Sequence, residues 1–122
     1  MKTHKDLQVW QRSVDLVEKI YKITGEFPKE EVFGLSSQTR RSAVSIPSNI
    51  AEGGARKSNK EFLQFLYIVL GSLSELETRC LIAQRLKFLA DETVLSDIEI
   101  LRRQLLNFIK YRKGDKLVNA DG

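Results

Sequence analysis

The sequence predicts an all-α protein, an antiparallel up-down-up-down four-helix bundle. Apolar residues recur every three or four positions through four separate stretches, and no stretch alternates with the period of two that a half-buried strand requires. Short connections bearing Pro28, Gly34, Gly53 and Gly54 divide those stretches, so neighbouring helices should pack antiparallel.

The first helix is predicted over residues 6–24, with Gly25 stopping it. Leu7, Trp10, Val14, Val17 and Tyr21 line one face. Val9, Leu16, Ile20 and Ile23 form a second apolar stripe on nearly the opposite side, surplus to what one core-facing helix needs. The stretch EFPKEEVFGL reads as a connection with one short helical turn after Pro28.

Helix 2 is predicted to start near Ser36, with Leu35, Thr39, Ala43, Ile46 and Ile50 inward. Pro47 removes one helical hydrogen bond and clashes with the Ala43 carbonyl, so a kink or a restart is expected there. Helix 3 opens on Ser58 and Glu61, the S-x-x-E pattern of a capping box. Phe62, Leu66, Val69, Leu73, Leu76, Cys80 and Ala83 then form its inward seam, which Leu63, Leu70 and Leu81 widen. Ile68, Ile82 and Leu86 lie on its back, a second surplus stripe. Helix 4 is expected to begin near Asp91 as N-cap, to bury Val94, Ile98, Leu101, Leu105 and Phe108, and to end before Gly114. Residues 1–114 thus make one bundle, and 115–122 are expected to be a flexible tail.

A chain of 122 residues with 42% hydrophobic and 30% charged content suits one folded domain. The lone cysteine, Cys80, has no partner in the chain for a disulfide, and the first residues lack the apolar core of a secretory signal; a cytoplasmic location is expected. The longest uncharged run, 62–74, is too short for the roughly 20 residues of a membrane span. Surplus apolar stripes on helices 1 and 3 point to a homo-oligomer, with Val9, Leu16, Ile20, Ile23, Ile68, Ile82 and Leu86 at its interface.

Charge is uneven. Residues 1–39 are neutral overall, 40–60 carry +4, 61–100 carry −4, and 101–122 carry +4. Two basic blocks raise the expectation of an anionic partner. The stretch NIAEGGARKSNKEF does not make a phosphate loop, because Arg56 stands where that motif has glycine and a helix precedes it instead of a strand. The start of helix 3, ringed by Arg56, Lys57 and Lys60, could still seat one phosphate of a polymer, while Gly53 and Gly54 end helix 2 and turn the chain.

Arg41, Ser45, Ser48 and Glu52 form a polar stripe on helix 2. Arg41 and Glu52 are candidates for a buried ion pair between helices or subunits, and Asn49 for a bond to a loop backbone. No catalytic or metal-binding constellation is recognisable: the single histidine, His4, precedes helix 1, and Cys80 lies on the core seam. Trp10 and the phenylalanines occupy core positions and offer no platform for bases. No cofactor or metal is expected.

Residues 33–78, FGLSSQTRRSAVSIPSNIAEGGARKSNKEFLQFLYIVLGSLSELET, closely resemble bacterial four-helix bundle proteins associated with intervening sequences in 23S rRNA genes. DLQVWQRSVDL and FPKEE extend the likeness over most of the chain. Its most specific elements are Ser45, Ile46, Pro47, Asn49, Ile50, Ala51, Glu52, Gly53 and Arg56, then Gly71, Ser72 and Glu75. The resemblance implies a bundle that assembles into a ring, typically a pentamer, with structured RNA as the suspected ligand. Similar proteins in diversity-generating retroelements bind a reverse transcriptase and its RNA. Gly54 departs from relatives that carry a bulkier residue there, and the basic cluster on helix 4 is not part of the signature.

The leading expectation is therefore a non-enzymatic, oligomeric RNA-binding protein. Arg40, Arg41, Arg56, Lys57, Lys60, Arg103, Lys110 and Lys113 would contact phosphates. The alternative is a protein-interaction scaffold or accessory factor for a partner such as a reverse transcriptase, without direct RNA binding.

Overall fold

The computed structural model describes residues 3–114, so the tail expected over 115–122 lies outside the described residues. Within them the protein is all-helical: α1 Gln8–Thr24, α2 Leu35–Gly54, α3 Asn59–Arg85 and α4 Thr93–Arg112, with single 3-10 turns at His4–Asp6 and Lys29–Glu31. Each helix packs on two neighbours in the cyclic order α1, α2, α3, α4, a four-helix bundle around one apolar core.

The seams predicted on α2, α3 and α4 are the buried ones. Ala43, Ile46 and Ile50 of α2, all seven seam residues of α3, and all five of α4 line the core, with Leu35 packed at its edge. Burying an aliphatic side chain of this size contributes about 1.5–3 kcal/mol, which is what holds such a bundle together.

Helix α1 corrects the prediction. Val9, Leu16, Ile20 and Ile23 are buried in the chain's own core, whereas Val14 and Tyr21 are exposed and Leu7, Trp10 and Val17 are half-buried. The four residues assigned to an oligomer interface are therefore core residues. Ser13 completes their face, fully buried, its hydroxyl donating to the Trp10 carbonyl at 2.7 Å, so a serine tolerates the interior without an unpaired group.

Three boundary details also differ. Helix α2 continues through Pro47 and includes both Gly53 and Gly54, so it does not restart, and neither glycine has positive φ. Gly53 has a packing reason instead: a Cβ there would lie 2.7 Å from the Phe65 Cβ, so its absence lets α2 and α3 approach closely. At α3, Ser58 Oγ accepts from the Glu61 N–H at 3.1 Å, but the Glu61 carboxylate takes the Ser58 hydroxyl at 3.2 Å in place of a backbone N–H. Helix α4 starts two residues after Asp91, whose carboxylate accepts from both the N–H (3.0 Å) and the hydroxyl (2.6 Å) of Thr93 and so holds its first turn. Those bonds keep the Asp91 carboxyl below its ordinary pKa.

Candidate nucleic-acid interface

One end of the bundle gathers four chain segments. Gly54, closing α2, lies where a Cβ would be 3.5 Å from the His4 Cβ. Asn59, opening α3, donates to the Arg112 carbonyl at 2.7 Å and accepts from the Arg112 guanidinium at 2.8 Å. That second contact joins the α2–α3 turn to the end of α4, so the two basic blocks, about fifty residues apart in sequence, share one end of the molecule. Residues 3–7, 52–61 and 110–114 carry seven cations, Lys5, Arg56, Lys57, Lys60, Lys110, Arg112 and Lys113, against the carboxylates of Asp6, Glu52 and Glu61.

These cations differ in what they already touch. Arg56 pairs with Glu52 at 3.1 Å and stacks on Phe65, its guanidinium 4.9 Å from the ring centre. Arg112 covers Phe62 at 4.9 Å, and Lys113 lies over Tyr67 at 5.3 Å. Lys57, Lys60 and Lys110 are exposed and have no carboxylate partner among the described residues. Arg103, seven residues before Lys110, shares its outer face of α4 and is likewise exposed and unpaired. Basic residues in the last turn of α4 also complement the helix dipole, a purely structural benefit.

Two of the eight predicted contacts lie elsewhere. Arg40 is engaged at the opposite end: it stacks on Tyr21 at 4.5 Å, donates to Thr24 Oγ1 at 2.7 Å and to the Tyr21 carbonyl at 3.2 Å. It therefore ties the end of α1 to α2. Arg41 is exposed, has no ion pair among the described residues, and stands in the α2–α3 groove beside Gln38, Ser42, Ser45, Ser72, Glu75 and Arg79. Within the chain Arg41 and Glu52 do not pair, since Glu52 holds Arg56, and Asn49 donates to the Ser45 carbonyl of its own helix at 2.8 Å. At the start of α3, Ser58 caps the Glu61 N–H and the Glu61 carboxylate lies in the same turn, so one of the helix's free N–H groups is already used within the chain.

Other motif residues are structural. Ser45 and Ser48 return hydrogen bonds to the Ser42 and Val44 carbonyls at 2.8 Å each. Glu75 pairs with Arg79 at 3.5 Å. Gly71 stands exposed in mid-helix with open space where a Cβ would be, so nothing among the described residues accounts for a glycine there. Burial pushes the Cys80 thiol up to about 11, an unreactive state. No cluster of three metal-ligating side chains occurs among the described residues. No helix among the described residues is long and apolar enough to cross a membrane.

Among the exposed apolar side chains, Val14 and Tyr21 lie on α1, Val44 on α2 and Val32 in the connection between them, while Ile68, Ile82 and Leu86 lie along α3 as predicted. Leu81, expected to widen the inward seam of α3, is exposed instead. Arg112 and Tyr67 at the basic end were missed. The i, i+7 spacing of Lys60 and Tyr67, which puts them on one face of α3, was the available signal for the tyrosine.

The family model for the 23S rRNA-intervening sequence protein matches residues 5–107, and the chain belongs to that family. No curated protein matches it.

Proposed function

Starting from membership of the 23S rRNA-intervening sequence protein family, we propose that this chain is a cytoplasmic, non-enzymatic, ring-forming RNA-binding protein, pentameric as its resemblance implies. The observation that carries the reading is the convergence of Lys57, Lys60, Lys110 and Lys113 from two distant blocks onto one end of the bundle, with Arg103 continuing the ridge along α4. Exposed lysines of this kind grip phosphates without reading sequence, and their contribution is electrostatic. Repeating the patch around a ring sums weak contacts through effective concentration. Support for assembly now rests on Val14, Tyr21 and Val44 with Ile68, Ile82 and Leu86, since the inner stripe of α1 is used within the subunit.

The test is a titration of a labelled structured RNA at two salt concentrations, with the mass of the free protein measured by light scattering. Binding should weaken steeply with salt, and the mass should be a multiple of the 14.0 kDa chain. Absence of binding at low salt rejects the RNA reading, and a monomer at micromolar concentration rejects the ring. The same exposed apolar faces favour a second reading, a scaffold for a protein partner such as a reverse transcriptase. Recovery of that partner from nuclease-treated lysate, by a protein that binds no RNA itself, would establish it.

A further inference from the structure

Tyr67 is 47% exposed, and its ring lies at the basic end with an ammonium over it, Lys113 Nζ 5.3 Å from the ring centre. Lys60 is seven residues earlier on the same face of α3, and Lys110 is three residues before Lys113 on α4. One accessible aromatic surface is thus bracketed by cations from two helices. Phe33 shows that exposure alone does not make such a place: it is 94% exposed, but it follows Glu30 and Glu31 in a connection that would repel a polyanion.

We infer that Tyr67 is a stacking platform for an unpaired base, with Lys60, Lys110 and Lys113 holding the flanking phosphates, so that the preferred ligand contains single-stranded nucleotides. The inference rests on the RNA-binding reading and deepens it. A base and an ammonium both favour the electron-rich face of a phenol ring, so Lys113 leaves the ring as the base arrives and takes up a neighbouring phosphate. Bases in a duplex are already stacked and cannot use the ring, whereas looped-out bases can. Charge alone predicts the opposite preference, because a duplex presents the denser array of phosphates.

The experiment compares a labelled single-stranded oligouridine or oligoadenosine with a blunt RNA duplex of the same length, using fluorescence anisotropy at low salt. Wild-type protein should bind the single strand more tightly. Tyr67→Ala should lose roughly five- to a hundred-fold for the single strand and leave the duplex within about twofold, and Tyr67→Trp should restore the preference. Circular dichroism and light scattering check that the Ala variant keeps its helicity and its mass. A wild-type protein that binds RNA but favours the duplex, or a Tyr67→Ala variant that binds both alike to wild type, overturns the platform while the RNA reading stands. A Tyr67→Ala variant of altered mass overturns it too, placing the ring in a subunit seam. No RNA binding by the wild type at all removes the reading beneath it.

Discussion

The two ends of the bundle carry equal numbers of cations and balance them differently. At the end formed by residues 19–31, 35–41 and 85–97, seven cations face six carboxylates: Lys19 bridges to Asp97 and, at 3.9 Å, to Asp91, while Gln84 donates to Glu92 at 2.7 Å. Arg40 stacks there on Tyr21, and Phe27 meets Phe88 with ring centres 6.0 Å apart. At the other end seven cations meet three carboxylates; Lys57, Lys60 and Lys110 have no ion pair among the described residues, as is true of Lys22, Lys29 and Lys87 at the first end, but here too few carboxylates lie nearby to balance them. Charge that is balanced locally presents little net field to a polyanion. The excess of four cations at the other end does present one.

The comparison can be broken most directly by reversing charge at each end. The triple variant Lys57→Glu, Lys60→Glu, Lys110→Glu should weaken RNA binding by at least about tenfold at low salt and reduce the salt slope by about three. Lys22→Glu, Lys29→Glu, Lys87→Glu at the far end should change either quantity little. Equal losses from both triples, in the same anisotropy titration, would mean that overall charge and not its placement governs binding.

A smaller effect separates structural from functional arginine. Arg40→Ala removes a ring contact and two charged hydrogen bonds, and should cost about 1–2 kcal/mol in urea unfolding while leaving RNA affinity unchanged. Loss of affinity at full stability would return Arg40 to the phosphate-binding set.

The smallest effect concerns Asp91. Its folded carboxyl is held below its ordinary pKa of 3.8, first by the Thr93 hydroxyl, then by the Thr93 N–H. A depressed carboxylate contributes stability that is fully present above the unfolded value and is lost as pH falls through the folded one. Wild type and Asp91→Asn should therefore differ in melting temperature at neutral pH and converge as acid protonates the carboxylate below pH 3.8. A gap unchanged in acid would show that the capping bonds do not depend on ionisation.

Helices α2, α3 and α4 were legible because the longest regularly spaced apolar face of each is its core face, even in α3 with its shorter second stripe, and burying that face is the largest favourable term available to it. Helix α1 was not, for a specific reason. Its core face includes Ser13, which interrupts the pattern of Val9, Leu16, Ile20 and Ile23, while its outer face has Trp10 and Tyr21, large residues that look like core. Periodicity counts apolar stripes but does not say which of two faces inward. Tyr21 is satisfied at the rim, where a cation covers its ring, and Ser13 inside, where its hydroxyl has a carbonyl.

The candidate site divides in the same way. From the sequence alone came the four helices, three of their buried seams, the membership in a family and the existence of two basic blocks, because these depend on spacing along a chain or on simple sums of charge. Only the tertiary structure decided that the blocks meet, that Arg40 and Arg56 are already occupied while three lysines are not, and which side of α1 is dry. Those outcomes depend on which distant residues become neighbours, and proximity across some fifty positions is set by how the helices pack, not by the order of residues within any one of them.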